Sequence, residues 1–242
     1  MHSDPVSIHV DGQVLAGTVA VPKTGVPGVL FVHGWTGSQE TDLGRSQEIA
    51  SLGCVCLTFD LRGHAGTESI RQSVAPADNM NDVLAAYDTL AAHPIIDKSS
   101  IAVIGSSYGA YLAALLTEER PVRWLSLRVP ALYRDDDWTI PKGRHDRLAL
   151  AHYRQERVDP ADNRALKACT RFEGDVLLVE SEVDDRIPHA TVANYLASFR
   201  RARSLTYRIV EGADHALSDP AARRAFTGML VRWIREMVVG AR

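Results

Sequence analysis

Runs of consecutive apolar residues at 28–33, 54–60, 101–106, 122–128, 175–180 and 205–210 punctuate this chain, with helical stretches between them. A strand with one wet face alternates apolar and polar residues. A run that does not alternate needs cover on both faces, which parallel sheets receive from the helices that connect their strands. The fold class expected is therefore α/β: a mostly parallel, twisted sheet of about eight strands with helices on both faces. The first strands lie at 6–10 and 14–21, flanking Asp11-Gly12, a dipeptide suited to a tight hairpin, and should pair antiparallel.

Spacing defines the helices. Met80, Val83, Leu84, Tyr87 and Leu90 share one face after a capping candidate, Asp78, while Val192, Leu196 and Phe199 follow Pro188 at a first turn. Ala222, Phe226, Met229, Leu230, Trp233 and Met237 form the apolar stripe of a last helix over 220–238. The interval 130–172 breaks this rhythm, carrying charges, aromatics and scattered helical signals but no buried strand. The single domain expected over 1–242 thus includes a lid or cap insertion at 130–172. Within it, Asp135-Asp136-Asp137 reads as a solvated face or helix cap; further on, Arg200, Arg201 and Arg203 read as complements to a helix end.

A formal net charge of −3 gives no footprint for nucleic acid or an anionic membrane surface, and no apolar stretch approaches bilayer-spanning length. No charged leader with an apolar core opens the chain, so the expected location is cytoplasmic. Cys54, Cys56 and Cys169 are odd in number, and the first two alternate within an apolar run, which reads as core packing and not as a disulfide framework.

Gly105-Ser106-Ser107-Tyr108-Gly109 sits between the run ending at Ile104 and a small-residue helical run beginning at Ala110. A G-x-S-x-G string alone is weak evidence; its placement between strand and helix gives it meaning. A sharp strand-to-helix turn holds the middle serine in a strained conformation with its hydroxyl exposed, and side chains at 105 and 109 would collide where strand and helix cross. Ser107 lies at the apex and is the candidate nucleophile; Ser106 is structural. The same segment lacks the lysine of a phosphate loop and the glycine spacing of a dinucleotide fingerprint. His145 and His152 have no carboxylate or cysteine set completing a coordination sphere, so neither cofactor nor metal is expected.

A serine hydroxyl needs a base, and the base needs a third group to fix its tautomer and balance its charge. His215 lies in a short loop after the 205–210 run and before the last helix, at the sheet edge where Ser107 belongs; His145 and His152 fall in the presumed insertion and His189 inside a helix. For the acid, Glu182, Asp184 and Asp185 compete in the loop after 175–180. Here Ser181-Glu182-Val183-Asp184-Asp185-Arg186-Ile187-Pro188 resembles the G-E-x-D-x-x-V-P loop of the α/β-hydrolase superfamily, with Ser181 for glycine and Ile187 for valine. The resemblance assigns the triad acid to Asp184, leaving Asp185 as the fallback and Glu182 to brace the loop. The order Ser107, Asp184, His215 is that of the same fold.

The resemblance extends over nearly the whole chain. Phe31-Val32-His33-Gly34-Trp35-Thr36-Gly37 is similar to the superfamily's oxyanion loop, which implies that the backbone N–H groups of Trp35 and Tyr108 form the oxyanion hole. The Trp35 ring would line the acyl pocket or pack as a buried aromatic. Asp60-Leu61-Arg62-Gly63-His64-Ala65-Gly66 resembles the D-x-R-G-x-G-x-S turn, shifted at Ala65 and Thr67; Arg62 would pin loops, and His64 would lie behind the site or at the surface. Ser-Tyr-Gly at the elbow is also similar to prolyl-oligopeptidase-like peptidases and related esterases, although no propeller domain precedes it to act as a gate.

These features imply a serine hydrolase, with carboxylic ester cleavage through an acyl-enzyme as the expected activity and a small-molecule acyl substrate as the partner. Amide, peptide and thioester hydrolysis are rivals using the same triad, and a non-catalytic ligand-binding protein is the rival of another class. A homodimer is left open.

Overall fold

The structure is a computed structural model, and it describes residues 2–21 and 27–240; residue 1 and residues 22–26 and 241–242 of the expected 1–242 domain lie outside the described residues. β1 (His2–Val10) and β2 (Gln13–Val21) pair antiparallel, with Val10 opposite Gln13. Asp11 and Gly12 both take positive φ, 48° and 73°, the left-handed pair that lets a two-residue turn match the strand twist.

The sheet has eight strands in the order β1-β2-β4-β3-β5-β6-β7-β8. β3 (Gly28–Val32), β4 (Val55–Phe59), β5 (Ile101–Ser106), β6 (Trp124–Arg128), β7 (Asp175–Ser181) and β8 (Ser204–Val210) run parallel to one another. Side chains alternate across β3 and β5: Leu30, Val32, Ile101 and Val103 enter one core, and Val29, Phe31, Ala102 and Ile104 the other. The first core is closed by α2 (Pro76–Ala91), α3 (Tyr108–Glu119), α5 (Arg164–Arg171) and α6 (His189–Ser198), and the second by α1 (Glu40–Ala50) and α7 (Pro220–Gly240). This is the α/β-hydrolase fold, with β3 and β5 hydrogen-bonded at its centre, so the loops leaving their ends must meet.

Some local expectations change. β8 is an edge strand with a single neighbour, and Leu205 and Ile209 are 38% and 51% exposed, so its apolar run is not covered on both faces. Asp78 is not the cap of α2: Ala75 holds that position, and the Asp78 carboxylate accepts from its N–H at 2.8 Å. Pro188 likewise precedes α6 as its cap instead of entering the first turn. α1 escapes periodicity because its buried residues include Asp42, Arg45 and Ser46, with Arg45 Nη1 donating to Asp42 at 2.6 Å.

The interval 130–172 contains three short 3-10 turns, at Asp135–Asp137, Lys142–Arg144 and Pro160–Asp162, together with α4 (Arg147–Tyr153) and α5. Its two ends belong to the main core. Ala131, Leu132 and Tyr133 are buried there, and α5 packs on α3 and α6. All three cysteines are buried and form no disulfide. No helix among the described residues is long and apolar enough to cross a membrane.

Candidate active site

Ser107 stands between β5 and α3 at φ 53°, ψ −114°, in the strained region that an exposed serine on a sharp turn occupies. Its N–H donates to the Arg128 carbonyl at 2.8 Å, and its own carbonyl accepts from Ala110, Tyr111 and Ala131, so the turn is held from both sides. The flanking glycines are obligatory. A Cβ at 109 would fall 2.0 Å from the Val32 carbonyl oxygen, and one at 105 would fall 2.5 Å from the Ala110 Cα.

The Ser107 hydroxyl donates to His215 Nε2 at 3.1 Å, and His215 Nδ1 donates to Asp184 at 2.8 Å and 3.0 Å for its two oxygens. Asp184 Oδ1 also accepts from the N–H groups of Arg186 and Ile187, each at 2.8 Å. Burial pushes this carboxyl up, but the bonds from His215 and from those two N–H groups outweigh it and hold it below the ordinary carboxylate value. An ionised carboxylate only accepts, so the proton of a neutral His215 sits on Nδ1 and Nε2 is free to take one from Ser107. Asp185 is exposed and takes no part in this chain of bonds, while Glu182 accepts from the Gly212 N–H at 2.7 Å and braces the loop ahead of His215.

Beside the elbow, a Cβ at Gly34 would lie 3.3 Å from that of Ser107, which shows how closely the 33–37 loop approaches. The N–H groups of Trp35 and Tyr108 donate to no acceptor among the described residues. His33 is buried with Nδ1 donating to the Gly34 carbonyl at 2.8 Å and Nε2 accepting from Leu61 N–H at 3.0 Å. His64 is not at the surface but fully buried under Trp35, with ring centroids 4.8 Å apart. Burial, with His33 nearby, lowers His64 to about 4. Its Nδ1 donates to the Arg62 carbonyl and its Nε2 has no hydrogen-bond partner among the described residues. Arg62 joins Asp82 at 2.6 Å and Asp11 at 3.2 Å, tying the hairpin turn to α2. Tyr108 Oη donates to Asn79, which anchors the elbow to the same helix.

A cavity of about 230 Å³ opens at Ser107 and His215, walled by the 33–37 loop, by Asp42 and Arg45 of α1, and by Arg128, Arg186 and Leu217. Backbone strain gathers around it: Thr36, Ser107, Val129 and Leu217 all take positive φ, including the β-branched Val129 at 40° directly after Arg128. No sequence motif marks Arg45, Arg128 and Arg186 as residues of this cavity. The available signal was Arg128, a cation closing an otherwise apolar strand run at the sheet's C-terminal edge.

The remaining candidates lie elsewhere. His145 bonds the Ile140 carbonyl, His152 pairs with Glu156, and His189 pairs with Glu180. Asp135 accepts from Arg164 at the start of α5. Arg201 and Arg203 do not complement a helix end: they pair with Glu173 and Asp175, whereas Arg200 does bond the Ala197 carbonyl of α6.

Comparison with known proteins places this geometry in context. The prolyl oligopeptidase family model matches residues 41–240. An uncharacterized protein of Mycobacterium tuberculosis is 26% identical over 233 residues, covering 95% of this chain and 78% of that one. Among solved structures, dienelactone hydrolase from Anabaena variabilis superposes with a TM-score of 0.70 at 19% identity, covering 96% of both chains. Est1E from Butyrivibrio proteoclasticus, solved with ferulic acid bound, gives a TM-score of 0.74 at 17% identity, covering 97% of this chain and 99% of that one. At these identities the superpositions speak to the fold.

Proposed function

The chain belongs to the prolyl oligopeptidase family, within the α/β-hydrolase superfamily of serine hydrolases, and on that premise we propose that it cleaves a carboxylic ester or related acyl bond of a small molecule through an acyl-enzyme. The observation that carries the reading is the unbroken line of hydrogen bonds from Ser107 through His215 to Asp184. Ser107 Oγ attacks the acyl carbon as its proton passes to His215 Nε2, and the carbonyl oxygen becomes an oxyanion facing the unused N–H groups of Trp35 and Tyr108. The carbon–oxygen bond to the leaving group then breaks, and the departing alkoxide takes the proton from His215. Water repeats the cycle, giving its proton to His215 while its oxygen joins the acyl carbon, and Ser107 leaves with that proton. Asp184 balances the imidazolium at each stage. The setting is a cytoplasmic enzyme that needs no cofactor, with the stretch between Tyr133 and α5 as its cap.

The family match also favours amide and peptide bonds as a second reading, since the same steps serve an amine leaving group. Turnover of p-nitrophenyl esters, the matching anilides and acyl thioesters separates the two. The ester should be the fastest of the three, and Ser107→Ala should lower kcat by about 10,000-fold or more. A Ser107→Ala protein that retains its rate would remove the proposal.

A further inference from the structure

Arg128 is only 7% exposed, yet no carboxylate lies within ion-pair distance of it among the described residues. Its guanidinium donates to the His215 carbonyl at 3.0 Å and to Ser181 Oγ at 3.3 Å, both neutral, and stacks over Phe226 at 5.6 Å. Arg45 lies over the same ring at 5.1 Å, and its charge is already met by Asp42 at 2.6 Å. Of the other acids that act on Arg128 through space, Asp184 is engaged by His215 and two backbone N–H groups, and Asp214 accepts from the Ser218 N–H at 2.8 Å. Arg128 is therefore a buried guanidinium without an ion pair, on which the carboxylates of Asp184, Asp42 and Asp214 act only through space. Burial, with Arg45 nearby, lowers Arg128 to about 10, which leaves it charged at neutral pH. A buried cation without an ion pair is costly, and an anion arriving from outside the fold would offset part of that cost.

Position makes this more than an oddity of packing. Arg128 stands opposite Ser106 in the sheet, and both arginines line the cavity that contains Ser107 and His215, with Arg186 at its rim. A ligand with its acyl carbon at Ser107 can therefore reach the guanidinium within one enclosure of about 230 Å³, the scale of a short-chain acid. Accepting the hydrolase reading above, on which this rests, we infer that the preferred substrate is an acyl compound whose short chain ends in a carboxylate, and that Arg128, flanked by Arg45, is the anion-binding subsite. The guanidinium's N–H groups that are not committed to Ser181 and the His215 carbonyl suit the two oxygens of a carboxylate.

The test compares matched esters: p-nitrophenyl hydrogen glutarate, whose acyl chain ends in a carboxylate, and p-nitrophenyl pentanoate, which ends in a methyl group. The wild-type enzyme should favour the anionic ester in kcat/KM by about tenfold or more, chiefly through KM, with the advantage shrinking as salt rises. In Arg128→Gln the preference should fall to near unity, and Arg128→Lys should restore part of it. Equal turnover of the two esters by the wild type would overturn the subsite while leaving the hydrolase reading intact.

Binding supplies an arm independent of catalysis and of the folding of Arg128 variants. Titrated calorimetrically into Ser107→Ala protein, monomethyl glutarate should bind about tenfold more tightly than methyl pentanoate. If that difference appears although the wild type turns over neither ester, the subsite stands and the hydrolase reading fails. If it is absent, the subsite is wrong whatever the kinetics.

Discussion

Two cations sit beside the elbow, and the protein holds them by opposite means. Arg128 ends a central strand, fixed by backbone and hydroxyl acceptors and backed by α1 and α7. Lys142 belongs to a short 3-10 turn, and its ammonium rests among aromatic side chains, 4.2 Å from the centroid of Trp35, 5.1 Å from Tyr108 and 5.2 Å from Tyr133, with a hydrogen bond to Tyr133 as well. Burial lowers the Lys142 ammonium, with Tyr133 partly restoring it. One wall is built on the sheet and cannot yield without disturbing the His215 loop. The other is a stack of aromatic faces, closed by a side chain from the 130–172 interval. The elbow is thus flanked by one cation held by hydrogen bonds on the sheet and by another packed among aromatic rings.

Each of the two sides can be perturbed by substitution. Both walls hang from the elbow, so Gly109→Ala, which drives a Cβ to 2.0 Å from the Val32 carbonyl, should collapse them together. A loss on the order of 4 kcal/mol in urea unfolding is expected, and an unchanged midpoint would show that β3 and α3 are free to separate.

The aromatic wall carries a pH signature of its own in the acid range. His64 holds a folded value of about 4 against an ordinary 6.5, so between these values the unfolded chain binds a proton that the folded chain refuses. Stability is thus complete above about pH 6.5 and falls as the pH drops towards 4, by on the order of 3 kcal/mol. His64→Asn, which keeps a donor for the Arg62 carbonyl, should flatten that slope; an equally steep slope would place the acid sensitivity elsewhere. The smallest effect is expected from Lys142→Met, which removes the charge and keeps the bulk. A loss of about 1 kcal/mol measures the cation–π contact. A loss several times larger would mean that Lys142 is as firmly built in as Arg128.

Much of this architecture was legible in the sequence because its causes are local. Continuous apolar runs marked β3 to β7, and Gly105 and Gly109 marked the place where strand and helix touch. Loops leaving neighbouring strands in a parallel sheet share one edge, which brings Ser107, Asp184 and His215 within reach of one another. What escaped depends on long-range pairing. α1 buries an Arg45–Asp42 pair that periodicity reads as surface, and β8 has the composition of a central strand but lies at the edge, where only topology could place it. The same blindness hid Arg128, whose meaning comes from the acids it lacks.

The most direct test of the account is labelling with a fluorophosphonate, followed by intact mass and peptide mapping. The account predicts one adduct, on the peptide carrying Ser107, lost in Ser107→Ala and strongly slowed in His215→Ala. A folded protein that takes up no label, or takes it up at another residue, would contradict it.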